Sequence, residues 1–181
     1  ALVKKGIRRI NAGARAGIEA LKIVSGMQGK PLNASNVAFT LAPRINAAGR
    51  IGSAETALRL LLCENAEDAE ALAIETDILN KQRQAIEAKI SAEAVAQIEA
   101  NPEIKYAAVL VAAGENWHPG VIGIVAARLV GRYGKPAVVI TTEGDTGKGS
   151  CRSIPGFSVY DALKACETHL THFGGHPGAA G

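Results

Sequence analysis

Between residues 65 and 101 apolar side chains recur at helical spacing, with Leu72, Leu79, Ile86 and Ile90 keeping one stripe and no Gly or Pro before Pro102. The pattern predicts one helix. Asn65 is its expected cap, and Glu67, Asp68 and Glu70 lie where the helix dipole is positive. At about 1.5 Å per residue it spans roughly 50 Å, longer than a small domain is wide, so it is expected to connect two lobes. Upstream, glycine-punctuated segments predict short helices over 2–11, 15–24, 35–41 and 53–62, with Ser35 and Ser53 as N-caps. Residues 41–50 (LAPRINAAGR) read as a loop, because Pro43 disfavours helix before it and Gly49 and Gly52 favour turning. Downstream the period alternates. Strands are expected over 106–112, 137–142 and around 150–154, helices over 119–132 and 158–171, a polar glycine-rich turn over 143–149, and a glycine-rich end over 173–181. The fold class is α/β.

Composition narrows the setting. The 181 residues are 48% hydrophobic and 20% charged, ordinary values for a globular protein. No apolar run reaches the roughly 18 residues of a membrane span, and the opening ALVKKG has no signal-peptide core. The expectation is a soluble, cytoplasmic chain that engages no membrane. Cys63, Cys151 and Cys166 are an odd number without a C-x-x-C pair, so they read as buried or half-buried free thiols. Charge is unevenly spread. Residues 1–54 hold nine Lys or Arg against Glu19 alone (+8), residues 55–104 hold four basic and eleven acidic groups (−7), and the rest hold seven and five (+2). A basic block attracts a polyanion through counterion release, or else is a solvated helix face.

Four segments combine glycine with cationic or hydrogen-bonding side chains. Arg44, Asn46 and Arg50 share one segment, where two planar forks suit phosphate oxygens; the alternative is pairing with acids of the long helix. His118, in NWHPGVIG, stands at the start of a helix whose free N–H groups favour an anion; the alternative is a capping histidine. In GKGSCRS, which is not a Walker loop, Ser150 and Arg152 fall on one face of an extended strand. In Gly174-Gly175-His176, two glycines offer backbone N–H groups beside an imidazole. Other constellations fail. Cys166, His169, His172 and His176 lack the second cysteine pair of a zinc site, no nucleophile elbow supports a Ser/His/Asp triad, and no acidic pair sits in a metal-like context.

Taken in order, GIRRINAGARAGIEAL (6–21), LAPRINAAGRIGSAETALRLLL (41–62), LNKQRQAIE (79–87), NWHPGVIGIVAARLVGRYGKPAVVI (116–140), GKGSCRSIPGFSVYDAL (147–163) and FGGHPGAAG (173–181) resemble the RecJ family of DHH phosphodiesterases. The resemblance implies the helical end of a DHH lobe over 1–64, a long connecting helix over 65–101, and an α/β DHH-associated lobe with a mixed sheet over 102–181. It also implies that the D-x-D and D-H-H metal motifs lie upstream, and that the last lobe is C-terminally truncated. The activity implied is metal-dependent 5′-to-3′ hydrolysis of single-stranded DNA in repair and recombination. Two divalent cations, Mn2+ or Mg2+, would be held outside these residues, and single-strand-binding protein and a recombination helicase are implied partners. Carried over by position, Ser150, Arg152 and His176 grip phosphate, with His176 nearest the chemistry, Gly174 and Gly175 beside it. Arg44, Asn46 and Arg50 line the cleft, and His118 is a further member. On this expectation the 181 residues alone do not cleave DNA, and Arg152 and His176 converge although 24 positions apart. Two rivals remain. One is a DHH phosphodiesterase of very short RNA or cyclic dinucleotides, which shares the S-x-R-S and G-G-H strings. The other is a non-catalytic nucleic-acid-binding module.

Overall fold

The computed structural model describes residues 1–13 and 15–181. Helices α1 (Leu2–Asn11) and α2 (Ala16–Val24) are followed by a single turn α3 (Ala34–Asn36), a π-helical turn (Val37–Leu41), α4 (Ala42–Ile51), α5 (Ala54–Leu62) and the 35-residue α6 (Ala66–Ala100). Then come α7 (Pro102–Tyr106), β1 (Leu110–Glu115), α8 (Pro119–Tyr133), β2 (Ala137–Glu143), β3 (Thr146–Arg152), α9 (Val159–Ala165), a 3₁₀ turn (Glu167–His169), β4 (Gly175–His176) and β5 (Ala179–Ala180). The chain divides into two compact units, Ala1–Gln84 and Ala85–Gly181, and the division falls inside α6. Among the described residues, no helix is long and apolar enough to cross a membrane.

Several expectations about local structure are corrected. Residues 41–50 are not a loop. Pro43 sits at the start of α4 directly after the π-helical turn, so the chain is helical on both sides of the proline. Asn33 rather than Ser35 is the cap upstream, in a reciprocal pair with Asn36. The apolar run from residue 106 begins too early for a strand. Asn101 caps α7, using up the first of those residues, so β1 starts at Leu110. The expected turn over 143–149 is a two-residue loop around Gly144 (φ 55°), and β3 therefore starts at Thr146. The last helix ends at Ala165 in place of residue 171, and the glycine-rich end is a small hairpin joined to the sheet.

In the first unit, Leu21, Leu41, Leu60, Leu72 and Ala73 form the core. Ser53 caps α5 and Asn65 caps α6, as their residue types predict. The expected stripe of α6 holds at Leu72 and Ile90, but the helix also buries Thr76, Asp77, Asn80 and Glu87. Each of these polar groups is matched. Thr76 donates to the Ala73 carbonyl, Asp77 pairs with Arg44 and Lys81, and Asn80 accepts from Arg83; Glu87, 1% exposed on the part of α6 that belongs to the second unit, pairs there with Arg128 of α8.

In the second unit the sheet order is β1-β2-β3-β5-β4, parallel between β1 and β2 and antiparallel elsewhere. Helix α8 lies against β2 and β3 and buries Val121, Ile122, Val125 and Leu129. The outer edge of β1 is sealed by α6, because the Gln97 side chain donates to the Ala113 carbonyl and accepts from its N–H, at 2.8 and 3.2 Å. On the other face Cys151, Val159 and Ala180 pack together. Burial pushes the Cys151 thiol up, with Arg152 pulling weakly the other way, so this cysteine is an inert core residue. Cys63 is half-buried, and Cys166, expected inside, is exposed.

Candidate phosphate-gripping site

Strand pairing brings together residues far apart in sequence. Arg152 on β3 stands opposite Ala179 on β5, and Ala179 stands opposite His176 on β4. Residues in one row across a sheet send their side chains to the same face, and neighbouring strands lie about 4.8 Å apart. Arg152 and His176 are therefore on one face, their backbones roughly 10 Å apart. Ser150 shares that face by strand alternation. The same row continues inward to Ala137 and Leu110, both fully buried beneath α8. One sheet face is thus an apolar floor at β1 and β2 that turns polar at β3 and β4.

The Ser150 and Arg152 side chains lie against α8 at Gly123. A Cβ on that glycine would come within 2.9 Å of both Arg152 Nη2 and Ser150 Oγ, so the bare helix backbone makes the notch they occupy. Arg152 Nη1 donates to the Cys151 carbonyl at 2.7 Å and to Ser150 Oγ at 3.2 Å, which fixes the guanidinium. Among the described residues its other donors make no hydrogen bond, and no carboxylate pairs with it, Asp161 included. His176 Nδ1 accepts from the Gly178 N–H at 3.2 Å, so in the neutral ring the proton is on Nε2, on an exposed side chain. The arrangement presents a planar cation, a hydroxyl and an imidazole N–H from one side, and among the described residues neither Arg152 nor His176 forms an ion pair with a carboxylate.

The two glycines before His176 act differently from the sequence expectation. The Gly174 N–H is not offered outward; it donates to the Gly181 carbonyl at 2.9 Å and closes the hairpin. Gly175 adopts φ 143°, and a Cβ there would meet Ala179 O and Ala180 Cα at 2.5 Å, so it permits the close crossing of β4 on β5. His118 is the N-cap of α8, its Nδ1 accepting from the Gly120 N–H at 3.1 Å. It borders a separate cleft of about 430 Å³ with Asn116, Thr141, Glu143 and Lys148.

The remaining candidates lie in the first unit. Asn46 and Arg50 line a cleft of about 500 Å³ between α4 and α5, together with Ile45 and Leu58. Arg44, two residues before Asn46, is committed elsewhere: Nε donates to Asp77 Oδ1 at 2.8 Å and Nη1 to the Thr40 carbonyl at 2.6 Å. Sequence reasoning did not single out Gly123 as the seat of Arg152, nor Lys148 as a cleft residue. The GKGS string carried the Lys148 signal, since alternation places Lys148 on the face of Ser150.

Comparison with known proteins gives this geometry a family. Residues 101–181 match the model of the DHHA1 domain. The chain is 44% identical over 178 residues to the single-stranded-DNA-specific exonuclease RecJ of Bacillus subtilis, covering 97% of this chain and 22% of that protein. It is 42% identical over 181 residues to the RecJ of Thermus thermophilus, covering 100% of this chain and 25% of that protein. The crystal structure of Thermus thermophilus RecJ in complex with Mn2+ superposes with a TM-score of 0.87 at 41% identity, covering 99% of this chain and 26% of that one. The chain thus spans about a quarter of the length of these relatives. Over the length it spans, the chain is similar throughout to RecJ proteins, and residues 101–181 match the DHHA1 domain.

Proposed function

We propose that these residues grip the phosphates of single-stranded DNA for a RecJ-type exonuclease that degrades the strand from its 5′ end in repair and recombination. The observation that carries the reading is the row in which Arg152 and His176 share one face beside Ser150, with donors left over and no ion pair to a carboxylate among the described residues. A guanidinium fixed before substrate arrives stabilises charge that grows on a phosphate in the transition state, and it does so without reorganising. Ser150 and the His176 Nε2–H add neutral donors. In this reading Asn46 and Arg50 give the first unit a lesser share of the contacts, and Arg44 supports α4 through Asp77. His118 is a cap that borders the path of the strand.

Among the described residues no group of three or more His, Cys, Asp or Glu side chains is placed to hold a metal ion, so they do not fit a two-metal centre. In this reading the divalent cations, Mn2+ or Mg2+, are bound outside these 181 residues. The proposal extends to a cytoplasmic setting and to single-strand-binding protein and a recombination helicase as partners of the whole enzyme. It also holds that the 181-residue chain does not hydrolyse DNA by itself. Metal-dependent cleavage by the purified chain, surviving Arg152→Ala, would overturn that part. Single-turnover cleavage by an intact RecJ carrying this segment tests the grip. Arg152→Ala is expected to raise the barrier by about 2–4 kcal/mol, with Arg152→Lys restoring only part because a planar fork becomes a point charge. Normal cleavage by a folded Arg152→Ala enzyme, with a large loss of melting temperature, would reduce Arg152 to a stabilising residue.

A further inference from the structure

We propose that the basic side of α1 is a second contact surface for single-stranded nucleic acid, holding the backbone of the strand through Lys4, Lys5, Arg8 and Arg9. The choice of a nucleic-acid strand as the polyanion rests on the reading of Ser150 and Arg152 as phosphate contacts. With about 3.6 residues per turn, the four cations fall within an arc of about 140°, and Leu2, Val3, Ile7 and Ile10 take the other side. The helix is not free to turn. Ile10 packs on the core of the first unit, and the Asn11 amide donates to the Leu32 carbonyl at 2.9 Å and accepts from the Leu32 N–H at 2.8 Å. All four cations are left exposed.

The charge on this side is unopposed. Helix α1 contains no acidic residue, and among the described residues none of its four cations forms an ion pair. Glu19, the one acid in residues 1–54, is taken by Lys22 at 2.8 Å. Other cations of that stretch are engaged: Arg15 donates to the Leu61 carbonyl, Lys30 to the Gly26 carbonyl, and Arg44 to Asp77. Within α1, Lys4 stands over Arg8 and Lys5 over Arg9 at i,i+4 spacing, where like charges repel and weaken a helix. A merely solvated face would mix signs there, whereas a phosphate chain relieves the repulsion and releases its own counterions. A lipid surface fits less well. An interfacial helix sinks its apolar side into the bilayer, and here that side is turned to the protein at Ile10 and half-buried at Ile7, leaving Leu2 and Val3 exposed in the first turn.

The test follows binding of the 181-residue chain to a fluorescent oligothymidylate against salt concentration. Two variants lose the same number of charges from different places. One replaces Lys4, Lys5, Arg8 and Arg9 with Gln; the other replaces the exposed Arg59, Lys89, Arg132 and Lys164, on α5, α6, α8 and α9, with Gln. The α1 variant is expected to lose at least about 1.4 from the slope, about 0.7 for each of two phosphates, and to bind about tenfold more weakly near 0.1 M salt. It should melt at or above the wild-type temperature, because two repulsive pairs are gone. The second variant should stay close to wild type in slope and affinity. An unchanged slope in the α1 variant, or an equal loss in both variants, overturns the proposal, and the phosphate notch survives if Arg152→Ala still weakens binding. A weakened α1 variant beside an indifferent Arg152→Ala keeps the α1 surface and removes the notch; no binding of the strand removes both. Recruitment through α1 to vesicles of phosphatidylserine and phosphatidylcholine, with the strand slope unchanged in the α1 variant, would overturn the proposal by assigning this surface to lipid.

Discussion

Gly123 separates function from stability at a single atom. Alanine there would improve helix propensity by up to about 1 kcal/mol, yet its Cβ would lie 2.9 Å from Arg152 Nη2 and Ser150 Oγ and push both from the notch. Gly123→Ala is therefore expected to melt at or above the wild-type temperature while binding single-stranded DNA more weakly. Unchanged binding would show that the notch does not position Arg152. Arg44 should behave in the opposite way. Burial pushes the Asp77 carboxyl up, but Lys81 and Arg44 outweigh it, and the net value lies below the ordinary aspartate range. That stabilisation is present above the unfolded value near 3.9 and is lost as pH falls through the lowered folded value. Arg44→Ala should cost about 1–3 kcal/mol at pH 7 by stripping a buried carboxylate of one partner, and the difference from wild type should narrow below about pH 4. Melting followed over that range checks it; a constant difference would contradict the linkage. Residue chemistry was partly legible in the sequence. The types at Ser150, Arg152 and His176 suit the proposed phosphate contact, but nothing local distinguishes Arg152, which pairs with no carboxylate among the described residues, from Arg44, which a carboxylate 33 positions away holds.

Elements were legible where their ends are marked by local chemistry. Helix α6 is bounded by Asn65, which caps it, and by the Asn101-Pro102 pair, which starts the next turn, so its extent could be read almost to the residue. Ser53 marked α5 in the same way, and Ser53→Ala is expected to cost about 1 kcal/mol in chemical denaturation. Pro43 misled because a proline serves equally as a breaker and as a first-turn residue, and the π-helical turn before it has no sequence signature. The strand register was hidden for another reason. An apolar run such as YAAVLVA does not say which residue begins to pair, and that depends on β2. Gly114 shows how tightly the β1–α8 corner is built. A Cβ there would lie 2.2 Å from the Trp117 ring, whose N–H is held by Glu93. Gly114→Ala should destabilise the second unit by about 1–3 kcal/mol and shift Trp117 emission to the red, whereas an unshifted spectrum at wild-type stability would show that the corner yields freely.

For the molecule as a whole, sequence order and spatial grouping part company. The candidate residues divide between two units, Asn46 and Arg50 in one and Ser150, Arg152 and His176 in the other. The second group is the better-built site, because three strands set its geometry and an apolar floor under α8 supports it. That grouping is a product of β3–β5–β4 pairing, so no local pattern reveals it, although glycine-rich strings at both ends hint that strands cross closely there. The basic N-terminal block, by contrast, was prominent in the sequence but contributes an α1 with no buried residue. The account's central claim is that Arg152 contacts a strand phosphate, and counterion release measures this directly. The affinity of the 181-residue chain for a fluorescent single strand, followed against salt concentration, gives a slope of about −0.7 per phosphate contacted. Arg152→Ala should bind more weakly and lose about 0.7 from that slope at an unchanged melting temperature. An unchanged affinity and slope in the folded variant would contradict the account.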